Sequence, residues 1–386
     1  METNASESFE LEISHTVIDW IIKELGDPQH LPKDFKLDKE IVRNLEQGTT
    51  KFRWADIEKI AECMNLPLAS FLTEKAPSFY IPKDRRQPPS GKHTPFSFKT
   101  LSVIREVNRL QENGTDLLKN LSRGIEPELN FYSNLSDNPE IAAKKIRDKF
   151  GVLVQDQISW RDKKMAFEKW RATIEHENIL VFSMPMPLWE LRGAAFTFRK
   201  PFVILINSND SPNAMIFTLF HEYGHLLLKE GSSCIPDYNL DEQKNIESWC
   251  DEFAAALLMP EDAIKKFIPE GPNKDFKKAI FRIAFNLKVS RAAATIRIKK
   301  YMPINTFLGL RKTQVVKNEQ RAEKAKKPPQ GRKLPEDKKC IKEKGKYYIS
   351  LVKGNVDQNL ITHNKALDIL SIKLNKYKAV VGARNE

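Results

Sequence analysis

Apolar residues recur every three to four positions along most of the chain, the spacing of helices that bury one face. Val17, Trp20, Ile21 and Leu25 share such a face. So do Ile41 and Leu45 in KEIVRNLEQG, where Gly48 is a C-cap signal, and Ile57, Ile60, Ala61 and Met64 after them. Residues 81–100 are rich in proline and basic residues and read as a linker; the helical period then resumes with Leu101, Ile104, Val107 and Leu110. Asn138-Pro139 predicts a helix start, with Phe150 as its end and Gly151 closing it. A helix over 163–176 leads into a short apolar strand, ILVFSM. GAAFTF and FVILIN, on either side of Lys200-Pro201, predict a hairpin. Ser211-Pro212 starts a helix to Lys229 with Gly231 beyond it, and 241–258 is a second helix stopped by Pro260. Residues 261–301 are further helices, with Ser290 as an N-cap, and 347–380 form a small closing helical segment. The pattern is α+β and mostly helical, with one small sheet and no internal repeat.

Composition bounds this picture. The chain has 386 residues, 41% of them hydrophobic, enough for two or three domains. No run approaches the 18 apolar residues of a membrane span. The start, METNASESFELEIS, lacks the basic and apolar regions of a secretory signal. Cys63, Cys234, Cys250 and Cys340 are scattered, with no CxxC, which fits a reducing cytoplasm. The net charge of +12 is unevenly placed: residues 1–80 carry 9 basic and 15 acidic side chains, residues 311–346 carry 14 and 5. That second stretch is expected to be a flexible tether, its sharper alternative being a contact with nucleic acid or an acidic partner.

The chemistry concentrates in FTLFHEYGHLLL. On a helix, His221 and His225 are one turn apart on one face, so both imidazoles can reach one ion. Zinc accepts imidazole nitrogen, and a catalytic site has three protein ligands with one position left for water. Glu222, beside the first histidine, is placed to take a proton from that water. The third ligand is expected from NIESWCDEFAAALLMP: Glu247 as ligand, and Asp251, one turn on, to orient a ligating histidine. Glu252 is the fallback for Asp251, and Glu242 a weaker ligand candidate. Cys234 and Cys250 lie nearby but are read as packing or loop residues. Gly224 permits close approach of another element, while Tyr223 is expected to point away from the metal. The strand 202–207, or its hairpin mate 194–199, is the candidate edge on which a peptide could lie, and Arg192 a candidate to stabilise an oxyanion.

These residues together resemble the ImmA/IrrE family of metallopeptidases, through FTLFHEYGHLLL, ESWCDEFAAALLMP and the preceding RGAAFTFRKPFVILIN. Cys250-Asp251 stands where that family shows Ala-Asn. NPEIAAKKIRDKFGV and KWRATIEHENILVF also look like its lead-in, so the resemblance covers roughly 130–305. It implies a zincin-like metallopeptidase domain with a HExxH helix, a zinc endopeptidase activity, and a protein substrate of the helix-turn-helix repressor type. NLEQGTTKFRWADIEKIAECMNLPLASFL is similar to the Xre/Cro helix-turn-helix that often precedes such a peptidase, with Leu45 and Phe52 in place of the usual Trp and Pro. Lys36, Lys39, Arg43, Lys51 and Arg53 cluster around its recognition helix and are the candidate DNA contacts, although a net acidic module departs from a phosphate binder. The expected organisation is therefore a helix-turn-helix domain (1–80), a linker and helical connector (81–130), a metallopeptidase domain (131–310), a basic linker (311–346) and a helical segment (347–386). The alternative is a DNA-binding regulator whose peptidase-like domain is not catalytic.

Overall fold

The computed structural model describes residues 10–25, 37–64, 66–82, 85–86, 96–124, 132–231, 240–270, 275–312 and 334–382. The chain divides into two units, one of residues 1–81 and 91–112, the other of 82–90 and 113–386.

The first unit contains β1 (Glu10–Glu12), α1 (His15–Leu25), α2 (Lys39–Glu46), β2 (Lys51–Arg53), α3 (Trp54–Met64) and a 3-10 turn, Leu68–Phe71. Its core is the one the helical spacing marks: Val17, Ile21, Ile41, Leu45, Ile57, Ile60 and Met64 are all buried. The β1–β2 pair departs from the all-helical reading of this region. Phe52 packs into the core opposite Leu11, while Glu10 faces Arg53 and Glu12 faces Lys51 across the antiparallel pair. Apolar residues at the middle and opposite charges at the ends favour that register. The first part of α4 (Phe98–Asn120) also belongs here, where its buried Arg105 binds Glu24 at 2.9 Å.

The second unit opens with β3 (Arg85–Arg86), inside the stretch expected to be linker, and the remainder of α4. α5 (Pro139–Phe150) is capped by Asn138, whose side chain accepts from the Glu140 and Ile141 amides, and it ends at Gly151. α6 (Val154–Ser159) and α7 (Lys163–Glu175) lead into the sheet strands β4 (Leu180–Met184), β5 (Gly193–Phe196) and β6 (Val203–Asn207). The sheet order is β3-β5-β6-β4: β6 runs parallel to β4 and antiparallel to β5. β6 is therefore internal, which removes 202–207 as an edge for a peptide.

α8 (Pro212–Gly231) includes Gly231 as its last helical residue, and α9 (Leu240–Leu258) follows. From Met215 to Leu228 only Phe217 is not fully buried, so α8 is enclosed on all sides. α10 (Glu261–Lys265), α11 (Phe276–Asn286) and α12 (Arg291–Arg297) complete the array, α12 capped by Ser290 as its sequence indicates.

The helix Glu336–Asp357 starts well inside the stretch read as a basic linker. It docks on the sheet: Tyr348 lies edge-on to Phe182 at 5.2 Å, and Asn355 donates to the Leu117 carbonyl at 2.9 Å. With the helices His363–Leu370 and Leu374–Val381 it is part of the second unit.

Candidate metal centre

Two close approaches bring the site together. Gly224 on α8 faces Cys250 on α9; a Cβ at 224 would lie 3.1 Å from the Cys250 sulfur and 3.3 Å from its Cα. The missing side chain lets α9 approach until Glu247, one turn before Cys250, reaches the histidines. Gly193 opens β5 directly beside α8; a Cβ there would collide with Thr218 and lie 3.2 Å from Glu222 Oε1. Glycine at the start of RGAAFTF is the signal for this contact, because glycine in a strand marks close approach.

α9 is held by its C-terminal carbonyls, the groups a helix leaves without internal partners. Arg147 donates to Leu257 O at 2.8 Å, Gln157 to Leu258 O at 3.1 Å and Arg297 to Met259 O at 3.0 Å. Two of these donors are cations, which suits the negative end of the helix dipole. Burial lowers the Arg147 guanidinium to about 10. Trp249 adds a further tie, its indole N–H donating to Asp137 O at 2.8 Å.

In this frame His221, His225 and Glu247 converge. His221 Nε2 is 3.2 Å from His225 Nε2 and 3.2 Å from Glu247 Oε2, and His225 Nε2 is 3.5 Å from Glu247 Oε1. An ion held tetrahedrally at about 2.0–2.1 Å sets its ligands about 3.3–3.5 Å apart, so the spacing fits a divalent metal. His221 Nδ1 lies 2.8 Å from Asp251 Oδ1. An ionised carboxylate only accepts, so this nitrogen carries the proton and Nε2 turns its lone pair toward the other two groups. At this spacing the His221 lone pair, the His225 nitrogen and the carboxylate need a proton or a metal ion among them. Among the described residues this is the group of histidine and acidic side chains that can hold a metal.

His221, Glu222 and His225 are buried, while the Glu247 and Asp251 side chains are 43% and 54% exposed. Burial pushes the Glu247 carboxyl up, but without a metal a proton held on the facing imidazoles, His221 foremost, outweighs it and keeps the carboxyl below its ordinary value. Tyr223 points into the core, edge-on to Phe150 at 5.7 Å and stacked near Phe253 at 6.3 Å.

The structure does not gather every candidate. Arg192 is engaged by Asp210, Nη1 to Oδ2 at 2.7 Å. Glu252 accepts from Ser248 at 3.4 Å. The Glu242 side chain, Cys234 and Lys36 lie outside the described residues. Lys39, Arg43, Lys51 and Arg53 belong to the first unit and are exposed; Arg53 grips Asp56 with two bonds of 2.7 and 3.2 Å. Asn207 is a residue that sequence reasoning missed. Buried at the end of β6, it donates to Met186 O and Leu191 O at 3.0 and 2.7 Å and fixes the loop that delivers Gly193.

A helix bearing two histidines and a glutamate, a carboxylate from the next helix and a small sheet beside them define a metallopeptidase domain of the zincin type. Residues 174–299 match the model of the IrrE N-terminal-like domain, Peptidase_M78, which supports the ImmA/IrrE resemblance for that region. The radiation response metalloprotease IrrE of Deinococcus radiodurans is 33% identical over 108 residues, 26% of this chain and 32% of that protein. Its counterpart from Deinococcus deserti is 36% identical over 102 residues, 24% of this chain and 34% of that protein. The chain thus spans about a third of the length of the curated relatives it matches. No helix among the described residues is long and apolar enough to cross a membrane.

Proposed function

We propose that the protein is a zinc-dependent endopeptidase that hydrolyses peptide bonds in a regulatory protein, with His221, His225 and Glu247 as metal ligands. The observation that carries this reading is the convergence of three ligand atoms within 3.2–3.5 Å beside a buried glutamate. Zinc in such a site polarises a carbonyl and lowers the pKa of water. Glu222 is the general base: it takes the proton of the attacking water and delivers it to the leaving amine. Asp251 holds His221 in one tautomer and ring orientation. β5 lies beside Glu222, so a peptide pairing with its outer side, where β3 lies against Gly193 and Ala194, would present its carbonyls next to that carboxylate. A structural metal site has no use for a base beside its ligand, which favours turnover over a purely structural metal.

The family resemblance supports a repressor of the helix-turn-helix type as substrate, and the scattered cysteines support a cytoplasmic setting. Co-expression with the product of the neighbouring gene tests the reading: wild type yields a cut fragment, and Glu222→Gln, still loaded with zinc, does not. Equal cleavage by both rejects Glu222 as the base.

A further inference from the structure

Arg85 and Arg86 form a strand antiparallel to β5, Arg85 opposite Ala194 and Arg86 opposite Gly193. Gly193 is the residue whose backbone lies against the Glu222 carboxylate. Apart from β3, β5 would be the edge strand of this sheet, with one row of amide and carbonyl groups open to pairing. The place where an extended peptide would lie beside the base is thus already taken by the chain itself. Residues 82–90 group with the second unit, whereas 1–81 and 91–112 group with the first. The pairing residues stand between Pro82 and Pro88-Pro89. Proline has no amide for a ladder, so a strand drawn from this part of the sequence is necessarily short. A short strand can still compete, because a tether gives it an effective concentration on the order of millimolar.

We infer that the segment around Arg85-Arg86 is a tethered strand that fills the peptide-binding edge of β5, and that an extended stretch of a protein substrate must displace it. The inference rests on the peptidase reading for its consequence, but the occupied edge stands whether or not the site turns over. The probe is a fluorescein-labelled peptide of residues 82–90, titrated by anisotropy into full-length Glu222→Gln protein so that no cleavage intervenes. Adding Arg85→Pro with Arg86→Pro removes the tethered copy's amides. Binding of the probe should tighten by about 5- to 30-fold, the weight of one or two net hydrogen bonds. Amide exchange over Gly193–Phe196 should accelerate while α8 keeps its protection. Arg85→Gly with Arg86→Gly, which weakens the strand without proline, should fall between.

Equal titrations with and without the proline pair, or unchanged exchange over Gly193–Phe196, overturn the inference. If both change as expected while zinc-loaded protein with Glu222 intact cleaves nothing, the peptidase reading falls and the tethered strand stands.

Discussion

Around the second helix of the first unit, Arg53 is bound to Asp56, Lys59 to Asp38, and Lys51 and Arg53 face Glu12 and Glu10 across the β1–β2 pair. These charges lie largely at the surface, and each has an acid beside or opposite it. In the second unit the decisive groups are interior: His221, Glu222 and His225 are exposed by 1%, 0% and 3%. Exposed ion pairs contribute about 0–1 kcal/mol each and can be exchanged at little cost. Burying imidazoles against a carboxylate costs free energy unless something compensates. The contrast indicates that the second unit has retained an arrangement its own stability does not require, as a metal site would, while the first unit neutralises much of the charge a phosphate binder needs.

The largest effect is expected at Glu222. Glu222→Gln should lower turnover by about 10²–10⁴-fold, the range of a general base, with zinc content unchanged by elemental analysis; loss of zinc would instead make it a ligand. Asp251→Ala should weaken zinc binding by about 10- to 100-fold in a competitive chelator titration. Undiminished affinity would show that His221 needs no such support. Gly193→Ala should cost about 1–3 kcal/mol by thermal unfolding, since β5 must shift away from Thr218 and Glu222. An unchanged midpoint would mean that the strand approaches loosely.

A smaller effect concerns pH. Burial raises the Glu175 carboxyl to about 7, with Arg171 opposing. A pKa higher in the folded chain means that the group favours folding below its unfolded value and loses that contribution as pH rises through 7. Wild type should therefore lose stability relative to Glu175→Gln between about pH 5 and pH 8; parallel profiles would contradict this. Smallest of all, Lys39→Gln with Arg43→Gln should leave duplex DNA affinity unchanged in gel shifts and stability within about 0.5 kcal/mol. A reduced salt slope in that variant would restore the first unit as a DNA contact.

Local signals made much of this architecture legible. Asn138, Pro139 and Gly151 delimit α5 because caps act within one turn, and Ser290 does the same for α12. His221, Glu222 and His225 are readable because they lie on one helical turn, and Glu247 with Asp251 because they share a face of the next helix. What escaped depends on distant partners. Residues 10–12 become a strand only opposite Phe52, and Arg85-Arg86 only opposite β5. The helix from Glu336 lies in a charge-rich stretch, and its packing through Tyr348 and Asn355 is not visible in local periodicity. Asn207 carries no motif; its importance comes from the loop it ties down.

X-ray absorption at the zinc edge of the loaded full-length protein tests the central claim most directly. The account predicts a first shell of nitrogen and oxygen only, at about 2.0–2.1 Å, with the outer-shell scattering of two imidazoles that disappears stepwise in His221→Ala and His225→Ala. A sulfur ligand at about 2.3 Å, or one zinc bound equally by wild type and the double histidine variant, would contradict it.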